Sequence, residues 1–421
     1  MIEARVKSLA HGGAFVCEVI NSSGAPQKKA FIRGVIPQEL VEAEIVEEKK
    51  NLVEARALRI LEPSPARTDP ACPLFGQCGG CDLQHMQIAA QRSAKLNMVS
   101  DTLRKQGRLV PDGGVSLIGE QLAGFAYRKR IMLHCSTNGE IGFYRQRSGE
   151  VVDTACCLLA TEKINLALQH LRNCAFSIFE HLSSVVIEEH GNETFLLLRL
   201  LEHSRHLNEA LPLILDLPVL EIPNLLLLQQ RRVLYARYRG NSLERAEDLP
   251  VPVGHFSQIN QAANELLVET VLAEACASEI TDLYAGAGNF SLPLARRGAR
   301  VQAVELDPKL SALGAKIAAD ESLQDRLSFE TSSCEKFLRR YSLEKLVVLD
   351  PPRQGAAEVV KHFDPAVTAK VVYVSCNLPT LCRDLGVLRE RGYSLVKVGV
   401  LDMFPQTHHV ETISVLRASG S

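Results

Sequence analysis

The chain has 421 residues, is 46% hydrophobic and carries a formal net charge of -2. That length suggests about three domains with ample apolar material for their cores. No global polycation announces a nucleic-acid partner, so any polyanion site must come from local clustering.

The start of the chain, Met1–Val6, has no apolar leader run. No stretch of about 18 apolar residues offers a membrane span. A cytoplasmic, unexported protein is expected, whose twelve cysteines are metal ligands, catalytic groups or buried thiols rather than disulfides. No obligate protein partner is evident.

Residues 1–62 read as short strands. Arg5–Leu9 precedes a Gly12-Gly13 turn, Ala14–Val19 follows, a polar loop covers 21–29, and Ala30–Arg33, Leu40–Glu47 and Leu52–Ile60 complete the pattern. This spacing predicts a small OB-like β-barrel. Within it, Val35–Ala43 resembles the TRAM domain, a barrel that binds RNA.

Cys72, Cys78 and Cys81 come next, spaced Cys-x5-Cys-x2-Cys around Gly79-Gly80. Three thiolates so close in sequence suit zinc or an iron–sulfur cluster, and Cys156 or Cys157 can supply a fourth ligand. Residues 87–107 predict a helix stopped by Gly107. Residues 91–130 gather eight Lys and Arg against three acids, which reads either as a polyanion site or as a solvated helix face and basic turn. Two hairpin signals follow, Asn138-Gly139 and Gly191-Asn192, each between apolar strands. Residues 63–250 are therefore expected to form a mainly β domain behind the cysteine loop.

Residues 251–421 change character. Predicted helices Gln261–Ala277, Leu292–Arg297 and Lys309–Ala319 alternate with strands Glu279–Tyr284, Val301–Leu306, Leu346–Leu349 and Lys370–Ser375. This is the rhythm of a Rossmann-like, doubly wound α/β domain, whose ligands sit at the carboxyl ends of parallel strands.

The chemical motifs fall at such ends. Asp282-Leu283-Tyr284-Ala285-Gly286-Ala287-Gly288-Asn289 leads from a strand into a helix, where glycines let a ligand approach the backbone. The third glycine of a dinucleotide fingerprint is missing, and Glu305 ends the next strand where it can accept from ribose hydroxyls. The loop resembles that of S-adenosylmethionine (SAM) enzymes. Asp350-Pro351-Pro352-Arg353 presents an acid on a rigid turn. Cys376 closes an apolar strand and Glu411 follows His408-His409-Val410. A thiolate that adds to carbon 6 of uracil makes carbon 5 nucleophilic. A base must later remove the carbon 5 proton, and Glu411 is the candidate.

These stretches, with Ser375-Cys376-Asn377 and Phe404-Pro405, resemble the RNA uracil-5-methyltransferase family over essentially the whole chain. The nearest likeness is to members with a TRAM domain and an iron–sulfur cluster that act on 23S rRNA. The resemblance implies Cys376 as nucleophile, Glu411 as base and Asp350 against the uracil. It implies Gln258, Tyr284, Gly286, Gly288, Asn289, Glu305 and Asp350 as SAM contacts. It also implies a [4Fe–4S] cluster on Cys72, Cys78, Cys81 and Cys157, and Tyr127-Arg128 near the RNA. Leu378-Pro379 departs from the family, which has proline directly after the asparagine. Alternatives are the same chemistry on tRNA, methylation of an exocyclic amine, or a non-catalytic RNA-binding iron–sulfur protein.

Overall fold

The computed structural model describes residues 1–20, 29–49, 52–174, 176–202, 209, 211–214, 217, 223–229, 232–243, 254 and 258–419. The predicted polar loop at 21–28 and Phe256-Ser257 lie outside the described residues. The chain forms two compact units: residues 1–67, 86–122 and 262–421, and residues 68–85 and 123–261. Residues 86–122, which the sequence reading groups with the central β domain, thus lie in the first unit.

In the first unit β1 (Ile2–Leu9), β2 (Phe15–Ile20), β3 (Lys29–Arg33), β4 (Leu40–Glu48) and β5 (Leu52–Glu62) close a barrel in the order β1-β2-β3-β5-β4. Alternating burial in β2 and β3 puts one side-chain set into the barrel core. The TRAM-like stretch is structural here. Glu39 is fully buried and accepts from the Ile36 N–H (2.8 Å) and Arg67 Nη2 (2.8 Å).

The helix Ile88–Thr102 runs into a wider turn, Leu103–Gly107, and β6 (Val115–Ile118) follows. The basic residues of this stretch do not form one exposed stripe. Arg92 and Lys95 are buried and face Asp402, while Arg104 and Lys105 pair with Asp101.

The second unit carries β7 (Arg130–Cys135), β8 (Ile141–Tyr144), β9 (Val151–Asp153), β10 (Leu182–His190), β11 (Glu193–Leu200), β12 (Leu225–Gln229), β13 (Arg232–Tyr238) and β14 (Asn241–Ser242). Their order is β14-β13-β12-β11-β10-β7-β8-β9. Both predicted hairpins form, β7–β8 and β10–β11, with Gly139 and Gly191 at positive φ. The amphipathic helix Glu162–Cys174, absent from the mainly β expectation, contributes Ile164, Leu168 and Leu171 to the core of this sheet.

The rest of the first unit is built on β15 (Glu279–Leu283), β16 (Arg300–Glu305), β17 (Leu327–Thr331), β18 (Leu346–Leu349), β19 (Lys370–Ser375), β20 (Tyr393–Leu401) and β21 (Glu411–Ala418). The order is β17-β16-β15-β18-β19-β21-β20-β6. Strands β15–β19 are parallel, as expected. The sheet is nonetheless mixed, because β21 runs antiparallel to both β19 and β20. All four residues of β18 are buried, as a strand covered on both faces requires. Asp307 caps the helix Pro308–Asp320 by accepting from the Lys309 N–H at 2.8 Å, with proline at the first helical position. Among the described residues no helix is long and apolar enough to cross a membrane.

Candidate functional site

The mixed sheet brings Asp350, Cys376 and Glu411 together. Cys376 follows the last residue of β19. Ser375 pairs with Thr412, and Thr412 Oγ1 donates to the Ser375 carbonyl at 2.9 Å. One further step of that antiparallel register sets Cys376 opposite Glu411, the first residue of β21. Asp350 follows β18, the parallel neighbour of β19. Antiparallel entry of β21 thus puts its first residue at the edge where β18 and β19 end.

The electrostatics bind these groups into one centre. Burial pushes the Cys376 thiol up to about 11; Glu411 and Asp350 add to the rise and Arg353 opposes it. Burial also raises Glu411, with Asp350 reinforcing the shift, and burial raises Asp350. Two carboxyls that each disfavour the other's charge hold a proton more readily than isolated ones.

The turn after Asp350 is tied to the helix after Cys376. Asn377 Nδ2 and Thr380 Oγ1 donate to the Arg353 carbonyl at 2.9 and 3.3 Å. Buried Asp384 accepts from the Ala356 N–H (2.6 Å) and Tyr373 hydroxyl (2.7 Å). Leu378-Pro379 starts the helix Leu378–Glu390, so the departure from the family pattern costs no helical turn.

The glycine loop is tightly turned. Tyr284, Gly286 and Gly288 all have positive φ. A Cβ on Gly286 would meet nothing within 4 Å, whereas one on Gly288 would meet Leu292 at 3.0 Å. Glu305 accepts from the Gly286 N–H (2.8 Å) and the Asp307 N–H (2.8 Å), so it braces the loop. Asn289 exchanges side-chain hydrogen bonds with Asn264 at 2.9 and 3.0 Å. Gln258 is partly buried and belongs to the second unit.

In the sequence Asp282 stands out only as the first residue of the glycine-loop motif. Asp282 is fully buried, accepts from Ser291, and keeps Oδ1 without a partner. Burial lifts its carboxyl to about 7, with Asp350 and Glu305 adding to the effect of burial. An acid opening the loop was visible in the sequence; its burial was not. The barrel also reaches this region. The His11 ring, in the β1–β2 turn, lies edge-on to His408 at 6.4 Å. Partial desolvation, then His408 and Arg353, hold the His11 imidazole below its ordinary value.

In the second unit a cavity of about 700 Å³ is lined by Cys72, Cys78, Cys81, Cys156 and Cys157, with Arg128 beside them. Burial pushes Cys81 up to about 12, and Cys157, Cys78 and Cys72 add to the rise. Burial likewise raises Cys78 and Cys157, against the charge of Arg128. Four thiols therefore feel one another, while Cys156 is exposed. The Gly80 N–H points at Cys78 Sγ (3.4 Å), and a side chain at Gly79 would strike the Tyr144 carbonyl at 3.0 Å. Among the described residues no three His, Cys, Asp or Glu side chains stand as a ready ligand set for a single metal ion.

The tRNA (uracil-54, C5)-methyltransferase of Pyrococcus abyssi, solved with S-adenosyl-L-homocysteine, superposes with a TM-score of 0.72 at 21% identity, covering 98% of this chain and 99% of that one. The architecture is that of a barrel-bearing, Rossmann-like methyltransferase. A family described as tRNA (Uracil-5-)-methyltransferase matches residues 249–419. The 23S rRNA (uracil(1939)-C(5))-methyltransferase RlmD of Azoarcus sp. (strain BH72) is 33% identical, covering 99% of each chain. Its counterpart in Dechloromonas aromatica (strain RCB) is 33% identical over 92% of this chain and 94% of that protein. The chain belongs to the RNA uracil-5-methyltransferase family, and the resemblance drawn from its motifs is borne out.

Proposed function

We propose that this protein transfers a methyl group from SAM to carbon 5 of a uridine in RNA, with 23S rRNA as the substrate. The rRNA reading rests on the full-length relatives, whose names give 23S rRNA. A tRNA substrate is the second reading, favoured by the name of the similar solved structure. The observation that carries the chemistry is the sheet register that sets Cys376 opposite Glu411 with Asp350 beside them.

Cys376 is a protonated thiol at neutral pH. Asp350, whose own affinity for protons is raised toward that of the thiol, can accept its proton and so leave Glu411 free for the carbon 5 proton. The thiolate then adds to carbon 6, and the electron pair moves to the carbon 4 oxygen. SAM would supply the methyl group: carbon 5 bonds to it as the methyl–sulfonium bond breaks, and S-adenosylhomocysteine leaves. Glu411 takes the carbon 5 proton, the carbon 6–sulfur bond breaks, and the thiolate is regenerated. The target base must be flipped out of any stack to reach Cys376. Gly286, Gly288, Tyr284 and Asn289 form the SAM loop, and Glu305 faces the ribose.

The cysteine cavity fits a [4Fe–4S] cluster better than zinc. Thiols that line a cavity rather than converge on one point suit a polynuclear group. Cys72, Cys78, Cys81 and Cys157 would hold it, and a backbone N–H aimed at a sulfur, as from Gly80, tunes such ligands. An RNA substrate of this kind is met in the cytoplasm.

The test is mass-spectrometric mapping of 5-methyluridine after incubating purified protein and SAM with unmodified 23S rRNA and tRNA. One new 5-methyluridine in 23S rRNA is expected. Modification confined to tRNA would overturn the rRNA reading, and methylation of an exocyclic amine would overturn the chemistry.

A further inference from the structure

The helix Ile88–Thr102 buries an unusual face. Gln91 and Lys95 are fully buried, and Arg92 nearly so. Each has a partner on the segment joining β20 to β21. Gln91 Nε2 donates to Gln406 Oε1 at 2.8 Å, and the Gln406 N–H donates back to Gln91 Oε1 at 3.0 Å. Lys95 Nζ donates to Asp402 Oδ1 at 2.5 Å and to the Phe404 carbonyl at 3.1 Å. Arg92 Nε stands 3.5 Å from Asp402 Oδ2.

This segment leads directly to Glu411. Thr407 Oγ1 donates to the same Phe404 carbonyl (2.8 Å), the His409 N–H donates to Thr407 Oγ1 (3.3 Å), and the Phe404 and His409 rings meet edge-on at 6.1 Å. Gln406 itself sits at φ 67, a conformation that an L side chain rarely adopts without outside support.

A buried ion pair is a poor way to add stability, because desolvation offsets most of the attraction. What it supplies is geometry: a charged pair and a reciprocal amide pair each accept one arrangement. We infer that Gln91, Lys95, Asp402 and Gln406 are positioning residues that fix the 402–410 segment, and through it the carboxylate of Glu411, for removal of the carbon 5 proton. This inference rests on the reading of Glu411 as the base.

The experiment uses two variants of the full-length protein. Gln406→Gly suits the left-handed backbone and removes the side-chain bond. Lys95→Met with Asp402→Leu replaces the ion pair by apolar groups, leaving Arg92 on the carbonyls of Glu120 and Leu122. Both should keep SAM affinity by calorimetry and a KM for RNA near that of the parent. Turnover should fall on the order of 10- to 100-fold, as for a catalytic group displaced by about 1 Å. A covalent RNA–protein species should accumulate, because elimination waits on the base. A purely structural role would lower the unfolding temperature without trapping that species.

Folded variants with parental turnover, or with slowed turnover and no trapped species, would overturn the inference. If the double variant fails to fold, Gln406→Gly carries the test. Glu411→Gln is the control: if it also traps nothing, the assignment of Glu411 as base has failed rather than the positioning role.

Discussion

The two cysteine sites of this chain share a physical setting and differ in company. Burial raises Cys81 in one and Cys376 in the other well above the ordinary value of a thiol. In the cavity of the second unit the thiols have other thiols as neighbours, and Arg128 opposes the rise at Cys78 and Cys157. At the end of β19 a single thiol faces two carboxyls across a strand register. Thiols in one another's company lose their protons together when a metal group arrives. A lone thiol beside carboxyls can hand its proton over and take it back within a reaction cycle. Desolvation alone therefore does not distinguish a ligand from a nucleophile; the neighbours do.

The largest effect should come from exchanging the fates of the two sites. Cys376→Ala should lower methyl transfer on the order of 10⁴-fold or more, as loss of a covalent nucleophile does. Its iron content, by elemental analysis, should stay that of the parent. Cys81→Ser should lose iron and the brown absorption near about 400 nm expected of iron–sulfur thiolates. Cys157→Ser should do the same and Cys156→Ser should not. Zinc without iron in anaerobically prepared protein would break the comparison at the metal side.

A smaller effect is expected at Glu305. Glu305→Ala should weaken SAM binding by about 10- to 100-fold in calorimetry, since hydrogen bonds to a charged group are worth roughly 1.5–3 kcal/mol. Part of that loss comes from the Gly286 loop that Glu305 braces. Glu305→Gln, which keeps an acceptor, should lose less.

Smaller again is the contribution of the cation at the mouth of the centre. Arg353→Gln should reduce the salt dependence of RNA binding by about one counterion, as for one phosphate contact. His11, held below its ordinary pKa, is neutral at pH 7 and should leave that slope unchanged when replaced by Phe.

The smallest effect concerns stability. The Asp282 carboxyl is raised from its ordinary value to about 7. The folded state therefore binds more protons than the unfolded state between about pH 4 and 7, and its stability declines as pH rises through that window. Asp282→Asn should match the parent near pH 5 and melt a few degrees higher at pH 8. An equal offset at both pH values would mean that Asp282 titrates normally.

Much of this was legible because strand ends announce themselves. A run such as Lys370–Ser375 can only be a buried strand, and polar residues just past it, Cys376 and Asn377, must lie at its carboxyl edge. The hairpins at Asn138-Gly139 and Gly191-Asn192 were equally plain, since their turn residues tolerate positive φ. Long-range partners were not legible. Arg92 and Lys95 look like solvated helix charges until Asp402, some 300 residues on, is brought against them. Nothing local told that β21 would enter antiparallel, or that residues 86–122 would join the barrel and catalytic sheet. Glu39 read as part of an RNA-binding motif, yet its carboxylate is spent on Arg67 and backbone N–H groups inside the barrel.

The central claim is that Cys376 attacks first and Glu411 acts last. Glu411→Gln protein should be incubated with RNA and SAM, separated by denaturing electrophoresis, and the RNA-linked peptide mapped by mass spectrometry. The account predicts a SAM-dependent band whose methylated uracil is joined to Cys376, and no such band in the Cys376→Ala, Glu411→Gln double variant. An adduct on any other residue, or full turnover by Cys376→Ala, would contradict it.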